Sequence, residues 1–128
     1  MQVLLDTHTF LWWVTNDSKL SSPAHTIISD PQNEIFFSIV SAWEIVIKAK
    51  LGKLPLPQSP DIYIPSRIKH YGFKKTGITL NDVLQVWQLG NHHNDPFDRL
   101  LIAQSQVRNL PILSGDSKFS HYNVNVIW

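Results

Sequence analysis

Four short apolar runs, at residues 2–5, 34–37, 111–114 and 125–128, constrain this chain most. They do not alternate polar with apolar residues, so they read as strands buried on both faces rather than half-exposed ones. Between them the pattern turns helical. Residues 7–14 carry Phe10, Leu11, Trp12, Trp13 and Val14 and end at Asn16-Asp17. Ser21-Ser22-Pro23 opens a second helix to about Ser29, and from Ser41 helical spacing of Trp43, Val46, Ile47 and Leu54 predicts a third that stops near Gly52. A helix over 60–71, kinked or divided by Pro65, and one from Leu80 or Asn81 to Leu89 follow, with a short edge strand between them over 73–78. The last helix starts at Asp95-Pro96 and runs to about Val107 or Arg108. Buried strands alternating with helices imply βαβ units: one α/β domain over residues 1–128, a mostly parallel sheet covered on both faces. At 128 residues and 43% hydrophobic, the chain is long enough for one full core and too short for two.

In such sheets ligands bind outside the carboxyl ends of the strands, where strand order reverses. Asp6 and Asp116 directly follow apolar strands there, and the first turns expected for two helices add Glu44 and Asp98. Asp98 stands out because its i+3 and i+4 neighbours are Leu101 and Ile102, so its carboxylate shares an inward face and needs a partner. Each acid also has a simpler reading. Asp6 could cap a helix, Ser41 and Glu44 could form a capping box, Asp95 or Asp98 could cap the last helix, and Asp116 could begin a turn after Gly115. Capping does not explain why four carboxylates recur at one sheet edge. Two unit charges ~4 Å apart repel by roughly 4 kcal/mol at an effective dielectric near 20, so such a cluster protonates in part or holds a cation. Oxygen ligands favour hard divalent ions such as Mg²⁺ or Mn²⁺, the apparatus of phosphodiester hydrolysis.

The strings Leu4-Leu5-Asp6-Thr7-His8, Ser41-Ala42-Trp43-Glu44-Ile45 with Lys48 and Leu51-Gly52-Lys53-Leu54, Asp95-Pro96-Phe97-Asp98-Arg99-Leu100-Leu101-Ile102-Ala103-Gln104, and Ser114-Gly115-Asp116-Ser117 with Phe119 occur in this order. Together they resemble the PIN-domain family, specifically its VapC-type toxins. The resemblance implies a PIN-like, Rossmann-like three-layer α/β/α sandwich, Mg²⁺- or Mn²⁺-dependent endoribonuclease activity, homodimerisation and inhibition by a small antitoxin encoded beside the toxin. It assigns the catalytic, metal-holding acids to Asp6, Glu44, Asp98 and Asp116, leaves Asp95 as a cap, and matches Thr7 and Ser114 to hydroxyl positions that support the acids. Gly115 stands where many members carry a basic residue.

Other residues are weighed more plainly. Lys48, four residues after Glu44, is either a helix salt bridge or a phosphate contact, and Arg99 has the same two readings. Six histidines form no His-x-x-x-His pair, and His92-His93 are adjacent in a loop, so they are assigned packing or solvated roles. Trp43 and Trp87 are expected in the core, whereas Trp12 and Trp13 cannot both face inward, which puts one at a dimer or antitoxin surface. A formal charge of +1 excludes a strongly cationic domain, so an RNA substrate must be met by a local patch. Zero cysteines remove disulfides and thiolate sites and suit a reducing compartment. The most apolar stretch, 35–47, is too short to span a bilayer, and a cytoplasmic location is expected. Two other readings keep the fold: a non-catalytic module docking an antitoxin or RNA through its acids, and a phosphatase with Asp6 as nucleophile. The latter is disfavoured by His8, which stands where an Asp-x-Asp acid is needed.

Overall fold

The computed structural model describes residues 1–128. Its five strands are β1 (Gln2–Leu5), β2 (Glu34–Ser38), β3 (Lys74–Thr76), β4 (Ile112–Leu113) and β5 (Val126–Ile127), paired in the order β3-β2-β1-β4-β5. Every pairing is parallel, so the expected mostly parallel sheet has no antiparallel member. The chain builds outward from β1 through β2 to β3, then returns to place β4 on the other side of β1. Strand order therefore reverses between β1 and β4. The Asp6 amide donates to the Leu113 carbonyl across that seam (3.1 Å), and the Thr9 hydroxyl donates to the same carbonyl (2.9 Å).

Successive residues of β1 point to opposite faces, which divides the core. Val3 and Leu5 join Phe10, Ile28, Phe37, Ile45, Ile64, Ile68 and Phe73 beneath α1 (Thr7–Val14), α2 (Ser22–Ser29) and α4 (Pro60–Tyr71). Leu4 joins Leu101, Ile102, Ile112 and Phe119 beneath α5 (Leu80–Gln85) and α6 (Pro96–Arg108). The result is the three-layer sandwich. Helix α3 (Ile39–Lys50) lies between the layers, giving Val40 to one core and Ile45 to the other.

Local chemistry sets the helix ends and corrects three expectations. Ser38 caps α3 by accepting from the Val40 amide (3.1 Å), so α3 starts before Ser41 and Glu44 falls in its second turn. The Ser41–Glu44 capping box does not form, because Ser41 already lies inside the helix. Pro65 neither divides nor stops α4, which continues to Gly72 in the left-handed conformation (φ 69°). In the sixth position of α4, Pro65 removes only a bond that the exposed first turn gives up to water. The helix expected to reach Leu89 is α5 followed by a tighter 3-10 turn over Val86–Gln88.

The tryptophan expectation is also corrected. Trp43 is 51% and Trp87 88% exposed. Their helical spacing belongs to outward-facing stripes: on α5 and the turn after it, Leu80, Val83, Leu84 and Trp87 are all exposed at positions i, i+3, i+4 and i+7. Trp12 and Trp13 are both half-buried. Trp12 packs on Trp128 and Trp13 on Tyr71, so α1 is covered on two sides rather than exposing one ring.

A polar network that periodicity does not reveal joins α5 to α6. Asp82 is fully buried and receives the Arg108 guanidinium on both oxygens (2.6 and 2.9 Å), while buried Gln104 donates to it (3.1 Å) and accepts from the Ser38 hydroxyl (2.5 Å). Burial works against the Asp82 charge, but the bonds from Arg108, Thr79 and Gln104 outweigh it and hold the carboxyl below its ordinary range.

Candidate metal centre

Asp6, Asp98 and Asp116 are mounted at element ends and Glu44 in the second turn of α3, and in three places an acid does capping work. Asp6 caps α1 through the Thr9 amide (2.7 Å), Asp95 caps α6 through the amides of Phe97 (2.8 Å) and Asp98 (3.1 Å), and Asp116 caps the turn over Ser117–His121 through Lys118 (2.9 Å). These amide bonds fall on one oxygen, Oδ1, of each carboxylate. For Asp6 and Asp116, capping and clustering are thus compatible: one oxygen fixes the backbone and the other remains for the site.

The four sequence-predicted acids converge on Asp98. Burial, and after it the negative fields of Asp95, Glu44, Asp6 and Asp116, together push its carboxyl up to about 8. Asp6 is also raised; burial is the largest cause and exceeds the opposing hydrogen bonds from Thr9 and Ser114. Glu44 is 2% exposed and pairs through Oε2 with Lys48, while its Oε1 is buried without a hydrogen-bond partner. An orphaned carboxylate oxygen is costly. Lys48, 37% exposed at the rim, loses some charge stability to burial, but Glu44, Asp95 and Asp98 more than restore it and hold the ammonium above its usual range.

The supporting candidates separate into two groups. The buried Thr7 hydroxyl donates to Ser41 (2.9 Å), tying the start of α1 to α3 beneath the acids. The Ser114 hydroxyl serves Asp6 and also accepts from the Asp116 amide (3.1 Å). Lys48 realises the helix salt-bridge reading. Arg99 does not face the acids: its guanidinium donates to the carbonyls of Gly90 (2.8 Å) and His93 (3.2 Å) and to the Tyr122 hydroxyl (3.3 Å), clasping the loop before α6. Gly115 has a local reason. A Cβ there would lie 2.8 Å from the Trp128 ring, so the close approach of β5's following residue excludes a side chain beside Asp116.

Sequence reasoning missed one member of the centre. His93, assigned only packing or solvated roles, is 9% exposed and brings Nε2 to 2.8 Å from Asp98 Oδ2 and 3.1 Å from Asp116 Oδ2. The helix-pair test could not find it, because it reaches the acids from a loop. Its place two residues before the Asp95 cap was the available signal.

The centre has surplus negative charge, an unpartnered buried oxygen and ligand atoms that are almost all oxygen. Such a donor set fits a small, hard divalent cation. His93, Asp98 and Asp116 alone place candidate ligand atoms within 4.8 Å of one another.

The chain is similar to known proteins in family and in fold. The model of a family described as PIN domain matches residues 3–125. Ribonuclease VapC16 of Mycobacterium tuberculosis is 46% identical over 46 residues, 36% of this chain and 33% of that protein, so the match spans about a third of the relative's length. Among solved structures, VapBC2 from Rickettsia felis bound to a promoter DNA fragment aligns with a TM-score of 0.69 at 11% identity, covering 99% of this chain and 98% of that one. DNA-bound VapBC from Salmonella typhimurium gives a TM-score of 0.70 at 10% identity, covering 99% and 97%. These identities establish likeness of fold.

Proposed function

Since the chain belongs to the PIN domain family, we propose that it is a VapC-type toxin: a Mg²⁺- or Mn²⁺-dependent endoribonuclease, held in check by a cognate antitoxin protein. The observation that carries this reading is the buried, unpartnered Glu44 Oε1 beside an Asp98 that burial, reinforced by its neighbouring acids, pushes up to about 8. Asp6, Glu44, Asp98 and Asp116 would hold the ion. When bound, the cation supplies positive charge to a phosphodiester oxygen and lowers the pKa of a water nucleophile.

The chain's own residues do the rest. Ser114 and the Thr9 amide fix the Asp6 carboxylate, and the Asp95 cap gives Asp98 a rigid mount at the start of α6. Lys48 stands at the rim as a cation for a substrate phosphate, exchanging its bond to Glu44 for one to the incoming oxygen. Two further elements belong to this reading. The exposed stripe Leu80, Val83, Leu84 and Trp87 suits a homodimer surface, because an apolar row of this kind loses free energy in water. No helix is long and apolar enough to cross a membrane, which accords with work on cytoplasmic RNA.

Purified, antitoxin-free protein incubated with structured RNAs tests the proposal. Cleavage is expected with Mg²⁺ or Mn²⁺, and loss of cleavage with chelator or in Asp98→Asn. Equal cleavage by wild type and variant would remove the assigned site. Binding of antitoxin or RNA without turnover would make the acids a docking pocket instead.

A further inference from the structure

We infer that His93 is a positioning residue of the acidic centre: it holds Asp98 and Asp116 together by donating from Nε2 and does not ligate the cation. The inference rests on the metal-holding reading above. Geometry fixes the donor. Nδ1 of His93 accepts from the Asp95 amide (3.3 Å), and a neutral imidazole that accepts at one nitrogen carries its hydrogen on the other. That hydrogen lies between Asp98 Oδ2 at 2.8 Å and Asp116 Oδ2 at 3.1 Å. Ligating a cation through Nε2 would require moving the proton to Nδ1, where it would face the hydrogen of the Asp95 amide. The same backbone amide that starts the capping turn of α6 therefore selects a hydrogen-bonding histidine over a metal-binding one.

The surroundings hold that orientation. The Arg99 guanidinium grips the His93 carbonyl, the Tyr122 hydroxyl donates to the Gly90 carbonyl (3.0 Å) and accepts from the His92 amide (3.1 Å), and Phe119 meets the His93 ring edge-on at 6.1 Å between centroids. Loop 90–93 is thus tied at both ends to residues packed under α6. This also gives Arg99 a part in the centre: it acts through His93 rather than on a substrate. Asp116 is the acid that depends on His93 most. Its carboxylate is 34% exposed and is otherwise held by the Lys118 amide alone, whereas Asp98 is seated on a helix.

The test compares wild type with His93→Gln, whose amide nitrogen can reach the position of Nε2 and donate, and His93→Phe, which fills the space without a donor. Far-UV circular dichroism checks that both fold. In ¹⁵N-labelled protein with chelator, long-range ¹⁵N–¹H correlation should show His93 as the Nε2–H tautomer. With Mn²⁺, pulsed EPR should show no coupling to a directly bound imidazole nitrogen. His93→Gln should keep the Mn²⁺ Kd within about three-fold, and His93→Phe should weaken it by about ten-fold or more.

An Nδ1–H tautomer, a ¹⁴N coupling that disappears in His93→Gln, or an unchanged Kd in His93→Phe would each overturn the inference. If wild type binds no Mn²⁺, the nuclease reading falls. The tautomer still decides, without metal, whether His93 clamps the two acids.

Discussion

Replacing Asp98 with Asn should stabilise the metal-free protein, and the gain should depend on pH. An unfolded Asp ionises near 3.8, whereas burial and the surrounding acids push folded Asp98 up to about 8. Between those values the native state binds a proton that the unfolded state has lost, so stability falls as pH rises from about 4 to about 8. At pH 7 the interval above the unfolded value is about three pH units, and at 1.36 kcal/mol per unit the penalty is about 4 kcal/mol. Asn escapes it. The variant gives back part of that gain by weakening the 2.8 Å contact with His93, at about 1–2 kcal/mol. A net stabilisation of about 2–3 kcal/mol at pH 7 remains; it vanishes near pH 5, and near pH 4 the lost contact leaves the variant about 1–2 kcal/mol less stable than wild type. Urea unfolding with chelator at pH 4.5, 6 and 7.5 measures it, with wild type losing stability across the series more steeply than the variant, in which raised Asp6 still contributes a slope. A variant less stable than wild type at every pH would refute the reasoning, since Asp98 would then act as a cap rather than as a strained member of a charge cluster.

The same linkage predicts that Mn²⁺ binding at pH 6 releases about one proton more than at pH 9, measurable by calorimetry in buffers of different ionisation enthalpy. Arg108→Met should cost about 3–5 kcal/mol, because it leaves the fully buried Asp82 without its pair, and the loss should show in the urea midpoint. Trp87→Glu should leave the melting temperature within a few degrees of wild type and abolish any dimer seen by light scattering, since the side chain is 88% exposed. Gly115→Ala should displace the Trp128 ring, cost about 1–3 kcal/mol and shift tryptophan emission to the red.

The fold was legible because it is written in local pattern. Strand-like runs such as Val3-Leu4-Leu5 have few alternatives to a two-sided burial, and Asp95-Pro96 is a strong helix start. That Asp6, Asp98 and Asp116 share one sheet edge was legible for a related reason, since element ends are marked by caps, whereas Glu44 reaches the same cluster from the second turn of α3 rather than from the first turn expected. What stayed hidden depends on tertiary distance. Nothing local to His93 shows that the clasp made by Arg99 and Tyr122 turns its ring toward Asp98 and Asp116. The Trp43 and Trp87 readings failed because periodicity marks an apolar stripe without saying whether the chain's own core covers it. Ser41–Glu44 failed as a capping box because Ser38 had already begun the helix.

Reversal of strand order between β1 and β4 has a consequence for the moment at which the acidic centre can assemble. Asp6 and Glu44 come from the first half of the chain, Asp98 and Asp116 from the second, and the full set is assembled only once α6 packs on α3 and β4 pairs with β1. A nascent or broken chain can therefore carry half of the acids without the assembled centre. Synthesis proceeds with the acidic centre in two halves, which come together when β4 takes its place beside β1.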